Sequence, residues 1–377
     1  MTLKKSFKLA TVFNIPIEVN YSWFIILGLI IFTLGSGYFP YINPGLDSSI
    51  YWLLASISAL LLFASLLAHE LSHAIVARRN NIPIHGITLF VFGGVAQMDA
   101  EPSSPIIEFK MAIAGPIMSF TLALLFFALS QLLFTLGTSG PIISLLYYLF
   151  MINIVVGVFN MIPGFPLDGG RVLRALLWHV FKDIKKATAI ASNLGKLFAF
   201  ILMAFGIFNI ISGALVSGIW LIFVGLFLQE AAEVSYRQII MKKMLAGVGI
   251  KSLMTRDVIT VPTTINLDEL VNSYFFKYRH ASFPVMEDDL ILGLVTFHDL
   301  KEIPRQEWPT RNVKEIMLPL SELLVINQNA DAMDALAKMA QNGIGRLLVI
   351  ENTKLIGIIS QKDIMQLFKF RAAVEKD

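Results

Sequence analysis

The sequence contains no cysteine and little charge for its length. Asp, Glu, Lys and Arg make up 15% of its 377 residues, where about 25% is usual in a soluble domain. Without cysteine the fold has no disulfide bond, and any bound metal must take imidazole or oxygen ligands. The net charge of +3 gives no reason to expect a nucleic-acid partner, and we expect none. Apolar residues reach 56% and the mean hydropathy is +0.69, which predicts a chain largely surrounded by a lipid bilayer.

Long uncharged runs divide the first two thirds of the chain into membrane spans. Residues 111–167 and 197–229 contain no Asp, Glu, Lys or Arg, and residues 21–69 contain one, Asp47. An ionised side chain at the bilayer centre costs about 3 kcal/mol or more, and a helical span needs about 20 apolar residues. We therefore predict six spans, at residues 21–39, 51–77, 111–136, 142–162, 188–211 and 214–231.

Basic residues flank these predicted spans in clusters. Lys and Arg collect in cytoplasmic loops, and with six spans every cluster falls on the same side of the membrane. An even number of spans then places both termini in the cytoplasm. The pattern predicts a multi-pass integral membrane protein, in the plasma membrane if the organism is prokaryotic. The clusters are Lys4, Lys5 and Lys8; Arg78 and Arg79; Arg171, Arg174, Lys182, Lys185 and Lys186; and Arg237, Lys242 and Lys243.

The last third of the chain has the composition of a soluble domain and contains an internal repeat. Gly293 to Asp299 matches Gly357 to Asp363, a period of about 64 residues. Short apolar strands alternate with helical stretches in each repeat, which predicts an α+β module. The predicted fold is a multi-spanning α-helical membrane protein of about six transmembrane helices plus a cytoplasmic α+β module. We place the boundaries at 1–235 for the transmembrane domain, 236–247 for a linker, and 248–305 and 306–377 for the two repeats.

A possible metal-binding pair stands at the end of the second predicted span. His69 and His73 are four residues apart, so their Cβ atoms lie about 5–6 Å apart on one helix face. Both rings can reach a single zinc ion from there. Glu70 adjoins the first histidine, where its carboxylate can act on water at the metal. An ionisable group inside a span favours a functional role, whereas the alternative is polar residues that cap the span at the membrane surface.

A third ligand is predicted at the end of the fourth span. Two prolines and three glycines between Met161 and Arg171 cannot continue a helix. Irregular backbone at membrane depth is tolerated where it is buried in protein or lines a wet cavity. Asp168 is presented on this turn, and it completes the three protein ligands that a catalytic zinc requires. The alternative is an interfacial aspartate paired with Arg171.

Together the two motifs resemble those of the site-2 protease family of intramembrane zinc metalloproteases. The first is His-Glu-x-x-His at 69–73, and the second is Asn-x-x-Pro-x-x-Pro-Leu-Asp-Gly at 160–169. The resemblance covers roughly residues 10–235. It implies a transmembrane protein substrate, which must unwind locally and is cleaved near the cytoplasmic side. It also implies one zinc ion per chain held by His69, His73 and Asp168, with Glu70 as general base and Asn160 near the substrate carbonyl.

Two further segments resemble the same family. Residues 92–96 are similar to the family's membrane-associated strand, which is proposed to pair with an unwound substrate. Ala114-Gly115-Pro116 is similar to its Gly-Pro motif, but the asparagine often found shortly afterwards is absent, and Ser119 stands in that region. For the remaining histidines we expect structural or surface roles: His85, His179, His280 and His298.

The C-terminal repeat resembles a tandem pair of CBS domains. Thr296-x-x-Asp299 and Ser360-x-x-Asp363 match the signature in which the aspartate contacts a ribose and the hydroxyl lies near a phosphate. The resemblance implies that ATP or another adenine nucleotide binds there and modulates the protease. It also implies a homodimer formed through these domains. The alternative is that the pair binds no nucleotide and serves only for dimerisation.

Two other functions remain open on the sequence alone. A membrane transporter or channel regulated by CBS domains would use intramembrane charges as an ion path. The charges here instead fall in two motifs at one end of two spans, which favours a metal site. A scaffold without activity is the second alternative, although both motifs keep all their polar residues.

Overall fold

A computed structural model describes residues 6–91, 93–98, 102–138 and 140–374. Lys4, Lys5 and Phe92, which entered the predictions above, lie outside these residues. The chain divides into two compact units, Met1–Arg237 and Gln238–Asp377. The described part of the first unit and the start of the second contain six helices long and apolar enough to cross a membrane, which confirms the predicted number. They are Ser22–Ile42, Ser48–Arg79, Pro105–Thr135, Pro141–Asn160, Ile184–Ile211 and Leu215–Leu245.

The helices keep the predicted order, and a short helix lies between the fourth and fifth spans. The first span is α1 (Ser22–Thr33), a π-helical segment (Leu34–Tyr38) and α2 (Phe39–Ile42) in succession. The others are α3 (Ser48–Arg79), α4 (Pro105–Thr135), α5 (Pro141–Asn160), α6 (Asp168–Phe181), α7 (Ile184–Ile211) and α8 (Leu215–Leu245).

Helix α8 extends well beyond the predicted end of the last span at residue 231. The uncharged stretch ends there, but the helix continues because its polar residues are compatible with helical geometry. Glu233 pairs with Arg237 one turn later, an arrangement that stabilises a helix. Most of the predicted linker, residues 236–247, is therefore helical, and our domain boundaries stay predictions.

The membrane unit also contains a four-stranded sheet in the order β1 (Ser6–Val12), β2 (Ile15–Asn20), β3 (Ile84–Phe90) and β4 (Gly93–Met98). Strands β2 and β3 are parallel, and the other neighbours are antiparallel. Ile15 and Ile17 of β2 are fully buried against Ala74 of α3. Alternate residues thus attach the sheet to the helix that carries the histidine pair, and β4 lies at the sheet edge.

The second unit has the predicted α+β architecture. One sheet has the order β5-β6-β7-β8 and the other the order β11-β10-β9, and each repeat has its own apolar core. Strand β8, which begins the second repeat, pairs with β7 of the first. The strands are β5 (Val261–Pro262), β6 (Ser282–Glu287), β7 (Leu290–Thr296), β8 (Leu318–Pro319), β9 (Val325–Ile326), β10 (Arg346–Glu351) and β11 (Lys354–Ser360). The helices are α9 (Leu267–Glu269), a π-helical segment (Leu270–Phe275), α10 (Phe276–Tyr278), α11 (Phe297–Lys301), α12 (Val313–Ile316), α13 (Ala332–Asn342) and α14 (Gln361–Val374).

Candidate active site

The two histidines of α3 and the aspartate of α6 meet inside the membrane unit. The Nε2 atoms of His69 and His73 lie 3.0 and 3.1 Å from Oδ2 of Asp168. The histidine side chains are 3% and 8% exposed and the aspartate side chain 14% exposed. The histidine pair and an aspartate at least 95 residues further along the chain therefore converge at one buried point.

Asp168 reaches this point because the chain turns sharply after α5. Side chains at 169 and 170 would collide with backbone, since a Cβ on Gly169 would lie 2.3 Å from the carbonyl oxygen of Met161. Helix α7 closes the turn from the other side, and a Cβ on Gly195 would lie 1.9 Å from the carbonyl oxygen of Phe165. The turn is thus packed backbone against backbone, and Asp168 begins α6 in a fixed place.

Helix α4 orients both imidazole rings through their other nitrogen atoms. Nδ1 of His73 lies 2.6 Å from the carbonyl oxygen of Met111, and Nδ1 of His69 lies 2.8 Å from Oγ of Ser119. Since a carbonyl oxygen can only accept, Nδ1 of His73 donates, and a neutral ring then carries its lone pair on Nε2. Metal-ligating histidines in proteins are oriented in the same way, by a neighbouring group bonded to the ring nitrogen that does not face the metal.

The donor set fits a divalent zinc ion. The lone pair on Nε2 of His73 and the carboxylate oxygen of Asp168 are both acceptors, so a proton or a cation must lie between them. Two ligand atoms about 2.0–2.1 Å from a tetrahedral zinc stand about 3.3 Å apart, close to the separations of 3.0 and 3.1 Å. Among the described residues, His69, His73 and Asp168 form the one group of His, Cys, Asp or Glu side chains with metal-ligand spacing.

Gly115 of α4 leaves the space that a metal requires. A Cβ at this position would lie 2.2 Å from Nε2 of His73 and 2.5 Å from Nε2 of His69. The glycine of the Gly-Pro motif therefore has a specific role. Any side chain at position 115 would occupy the space between the two histidine nitrogens.

The charge of Asp168 is maintained by its partners. Burial by itself would raise the pKa of this carboxyl group, but the two histidines beside it outweigh burial and leave its pKa below the usual range. With no metal bound, a proton on the facing Nε2 atom would provide this effect, and a bound cation would take the place of that proton. Asp168 therefore presents a carboxylate to the point where the histidine nitrogens meet.

Glu70 and Asn160 line the same cleft as the three ligand candidates. The cleft has a volume of about 380 Å³ and is bordered on one side by Gly93 to Ala96 of β4. A Cβ on Gly94 would lie 2.5 Å from Cγ of Glu70, so the strand passes directly over the glutamate side chain. The structure thus brings the predicted base, the predicted asparagine and the sheet edge to one cavity.

Several residues of the site were missed from the sequence. Ser119 was noted, but its contact with His69 was not anticipated, and neither was the carbonyl group of Met111. Glu108 and Arg174 form a buried ion pair between α4 and α6. The available signal was a helical stripe, because Met111, Gly115 and Ser119 follow Glu108 by three, seven and eleven residues.

In the described part of the second unit, a cleft lies beside each of the two repeated motifs. Asp299 accepts a hydrogen bond from Oγ1 of Thr296 at 2.7 Å, and Asp363 accepts one from Oγ of Ser360 at 2.6 Å. Each pair caps the helix that follows it. The first cleft, of about 520 Å³, is lined by Thr296 and Asp299, and the second, of about 270 Å³, by Ser360 and Asp363.

Arg346 lines both of these clefts, together with Lys362. Its Nη1 donates to Oγ of Ser282 at 2.6 Å, and Ser282 stands 64 residues earlier, at the matching position of the first repeat. Burial lowers the pKa of Arg346, and Asp363 opposes this shift. His280 and His298 line one cleft each, which is compatible with the structural or surface roles expected of them.

Comparison with known proteins finds a matching family for each of the two units. The profile of peptidase family M50 matches residues 57–138 and 134–205, and the CBS domain profile matches residues 250–305 and 313–369. Rip3 of Mycobacterium tuberculosis is 34% identical over 97% of this chain and 93% of its own length. Zinc metalloprotease MJ0392 of Methanocaldococcus jannaschii is 32% identical over 96% of this chain and 95% of its own.

A solved structure, the site-2 protease from Methanocaldococcus jannaschii, covers 60% of this chain and 94% of its own, with 33% identity and a TM-score of 0.42. Rip3 and MJ0392 match nearly the full length of the chain, and both names describe a zinc metalloprotease. The transporter alternative is therefore rejected. The chain belongs to peptidase family M50, as an intramembrane zinc metalloprotease of the site-2 type that carries a pair of CBS domains.

Proposed function

We propose that His69, His73 and Asp168 hold one zinc ion per chain, beside which Glu70 acts as the general base in cleavage of transmembrane segments of other membrane proteins. The observation that supports this most directly is the convergence of two imidazole Nε2 atoms and one carboxylate oxygen beside Gly115. Glu70 lines the same cleft without belonging to the group of ligands.

Each protein group has a separate task in the proposed reaction. When bound, zinc supplies a Lewis acid that polarises a carbonyl group and lowers the pKa of water. The Glu70 carboxylate accepts a proton from the attacking water and returns it to the leaving amine. The amide of Asn160 donates to the substrate carbonyl oxygen as negative charge develops there. Met111 and Ser119 keep the two imidazole rings in place throughout.

The substrate enters this scheme as an extended strand. A transmembrane helix hides its carbonyl groups in hydrogen bonds, so it must unwind before a peptide bond can be attacked. Strand β4 lies at the edge of the sheet and borders the cleft that contains Glu70. An unwound segment can therefore add to β4 through backbone hydrogen bonds and lie across the cleft.

Cleavage is proposed near the cytoplasmic side, with both termini in the cytoplasm. The histidine pair lies in the last third of α3, which ends at Arg78 and Arg79. Asp168 is the first residue of α6, and Arg171 lies in the first turn of the same helix. Since basic residues favour the cytoplasmic side, the site and these arginines belong to the same face of the membrane.

The test compares the wild-type protein with Glu70→Gln in detergent, using a model transmembrane substrate. The glutamine keeps the shape of the side chain but cannot accept the proton, so we expect loss of cleavage with zinc content unchanged at about one per chain. Equal cleavage by both proteins would refute the role of Glu70. Cleavage by neither, with zinc bound, would point to a wrong model substrate or a missing nucleotide, whereas no zinc in either protein would reject the metal site.

For the C-terminal pair we propose binding of ATP or another adenine nucleotide, modulation of the protease by it, and a homodimer formed through these domains. In support, both clefts place a hydroxyl and a carboxylate beside the cations of Arg346 and Lys362. A polyphosphate is favoured by such fixed positive charge, especially the planar guanidinium group.

Replacing Arg346 by serine tests this second proposal. Serine is the residue at the matching position of the first repeat, and its short side chain removes both the positive charge and the hydrogen bond to Ser282. We expect ATP affinity to fall about tenfold or more, since hydrogen bonds to charged groups contribute about 1.5–3 kcal/mol. Isothermal titration of the full-length protein with ATP measures this, and light scattering gives the oligomeric state. Unchanged affinity in Arg346→Ser would exclude this arginine as the phosphate ligand.

A further inference from the structure

The membrane unit contains a buried ion pair that the proposed chemistry does not use. The carboxylate of Glu108 is fully buried, and its Oε1 accepts a hydrogen bond from Nε of Arg174 at 2.6 Å and contacts Nη2 of the same arginine. Its Oε2 has no hydrogen-bond partner among the residues that the structure describes. Removing two charges from water is costly, and a buried pair of this kind contributes little or nothing to stability compared with apolar residues of the same size. Stability alone therefore does not explain the pair.

The ion pair joins α4 to the segment that presents Asp168. Glu108 lies in the first turn of α4, and Arg174 lies in α6, six residues after Asp168. The guanidinium group of Arg174 also stands 5.0 Å from the centre of the Phe165 ring, in the turn before α6. One side chain thus contacts both the turn and, through Glu108, the neighbouring helix.

The same face of α4 contacts the other two ligand candidates, His69 and His73 of α3. Met111 and Ser119, which contact His73 and His69, follow Glu108 by three and eleven residues and lie on one stripe of the helix. Gly115, between them, borders both Nε2 atoms. A single helix face therefore contacts every element that carries a ligand candidate.

We propose that Glu108 and Arg174 are positioning residues that fix the carboxylate of Asp168 against the histidine pair. The inference rests on the proposed metal site. In this arrangement α4 holds all three ligands in position. It orients the imidazole rings through Met111 and Ser119, and it holds the start of α6 in place through the ion pair. Loss of the pair leaves all three ligands in the sequence but lets the aspartate move relative to the nitrogens.

The test separates a positioning role from a structural one. Single neutral substitutions would leave the other charge buried and unpaired, so the informative protein is the double variant Glu108→Leu/Arg174→Met, in the full-length chain in detergent. Apolar residues of similar size should maintain thermal stability. If the pair positions Asp168, zinc affinity should nevertheless fall, by up to about the 10–100-fold loss that follows removal of a group bonded directly to a metal ligand.

Two metal measurements give the result. Metal-free protein is titrated with Zn²⁺ against a competing chelator, and with Co²⁺ while the visible absorption reports the ligand geometry. The control is Glu307→Gln/Arg311→Met, which removes an exposed ion pair in the second unit and should change neither readout. If the double variant fails to fold, Arg174→Lys keeps the charge, loses the forked donor and should lower zinc affinity at unchanged thermal stability.

The outcomes are distinct. A folded double variant, or a folded Arg174→Lys protein, with wild-type zinc affinity and an unchanged Co²⁺ spectrum overturns the positioning role. Wild-type protein that binds no zinc rejects the proposed metal site itself. Reduced zinc affinity and an altered spectrum at unchanged stability support the inference.

Discussion

Replacing Gly115 by alanine would place one methyl group between the two histidine nitrogens. The added Cβ would lie 2.2 Å from Nε2 of His73 and 2.5 Å from Nε2 of His69. Ordinary van der Waals contact begins at about 3.4 Å, so both rings, or α4 itself, must move by about 1 Å. A misplacement of about 1 Å in a catalytic arrangement costs about 100-fold in rate. We expect at least this loss in kcat/KM, together with weaker zinc binding.

The same substitution should not harm the helix. Alanine is favoured over glycine in a helix interior by about 1 kcal/mol, which partly offsets the about 1–3 kcal/mol that displacing the two rings costs. The unfolding free energy should therefore fall by no more than about 2 kcal/mol while function is lost. Gly28→Ala, in α1, is the matched control. A Cβ at this position meets no atom of the described residues within 4 Å. Zinc content, chelator competition and substrate cleavage are compared in both proteins. Wild-type zinc affinity and activity in Gly115→Ala would refute the placement of the metal beside this glycine.

Two further substitutions test the surroundings of the site. Ser119→Ala removes the partner of Nδ1 of His69, so zinc affinity measured by chelator competition should fall about 10–100-fold; an unchanged affinity would show that His69 needs no orienting partner. Gly195→Ala would place a Cβ 1.9 Å from the carbonyl oxygen of Phe165. We expect a loss of about 1–3 kcal/mol in unfolding free energy, seen in thermal denaturation in detergent, and lower zinc content; a protein with wild-type values for both would contradict the close packing of the turn.

The parts predicted from the sequence were those with a local physical signal. The high cost of charge in a bilayer fixed the number of spans, and the four-residue spacing of His69 and His73 followed from helix geometry. The helix breakers before Asp168 predicted a turn, and the structure places a turn there. Each of these inferences needed one segment of chain, not knowledge of its neighbours.

The contacts between segments were not predictable in the same way. Helix α4 is apolar on nearly all sides, so the spacing of its few polar and small residues gives only a weak signal of which face points inward. The family resemblance drew attention to Gly115 and Ser119 but did not assign their contacts. The pairing of Glu108 with Arg174 links residues 66 apart in the chain. The sheet formed by β1 to β3 was also missed, because short half-buried strands give a weak signal beside long apolar helices.

The packing of the turn before α6 has a consequence for biosynthesis. Phe165 is buried in one cluster with Ala191 of α7 and Ala232 of α8, and its amide donates to the carbonyl oxygen of Ala191 at 3.1 Å. A nascent chain that has inserted four spans already contains both histidines and Asp168, but it lacks the helices that hold the turn in place. If the proposed metal site is right, Asp168 should therefore reach its final position only after the last two spans have been inserted.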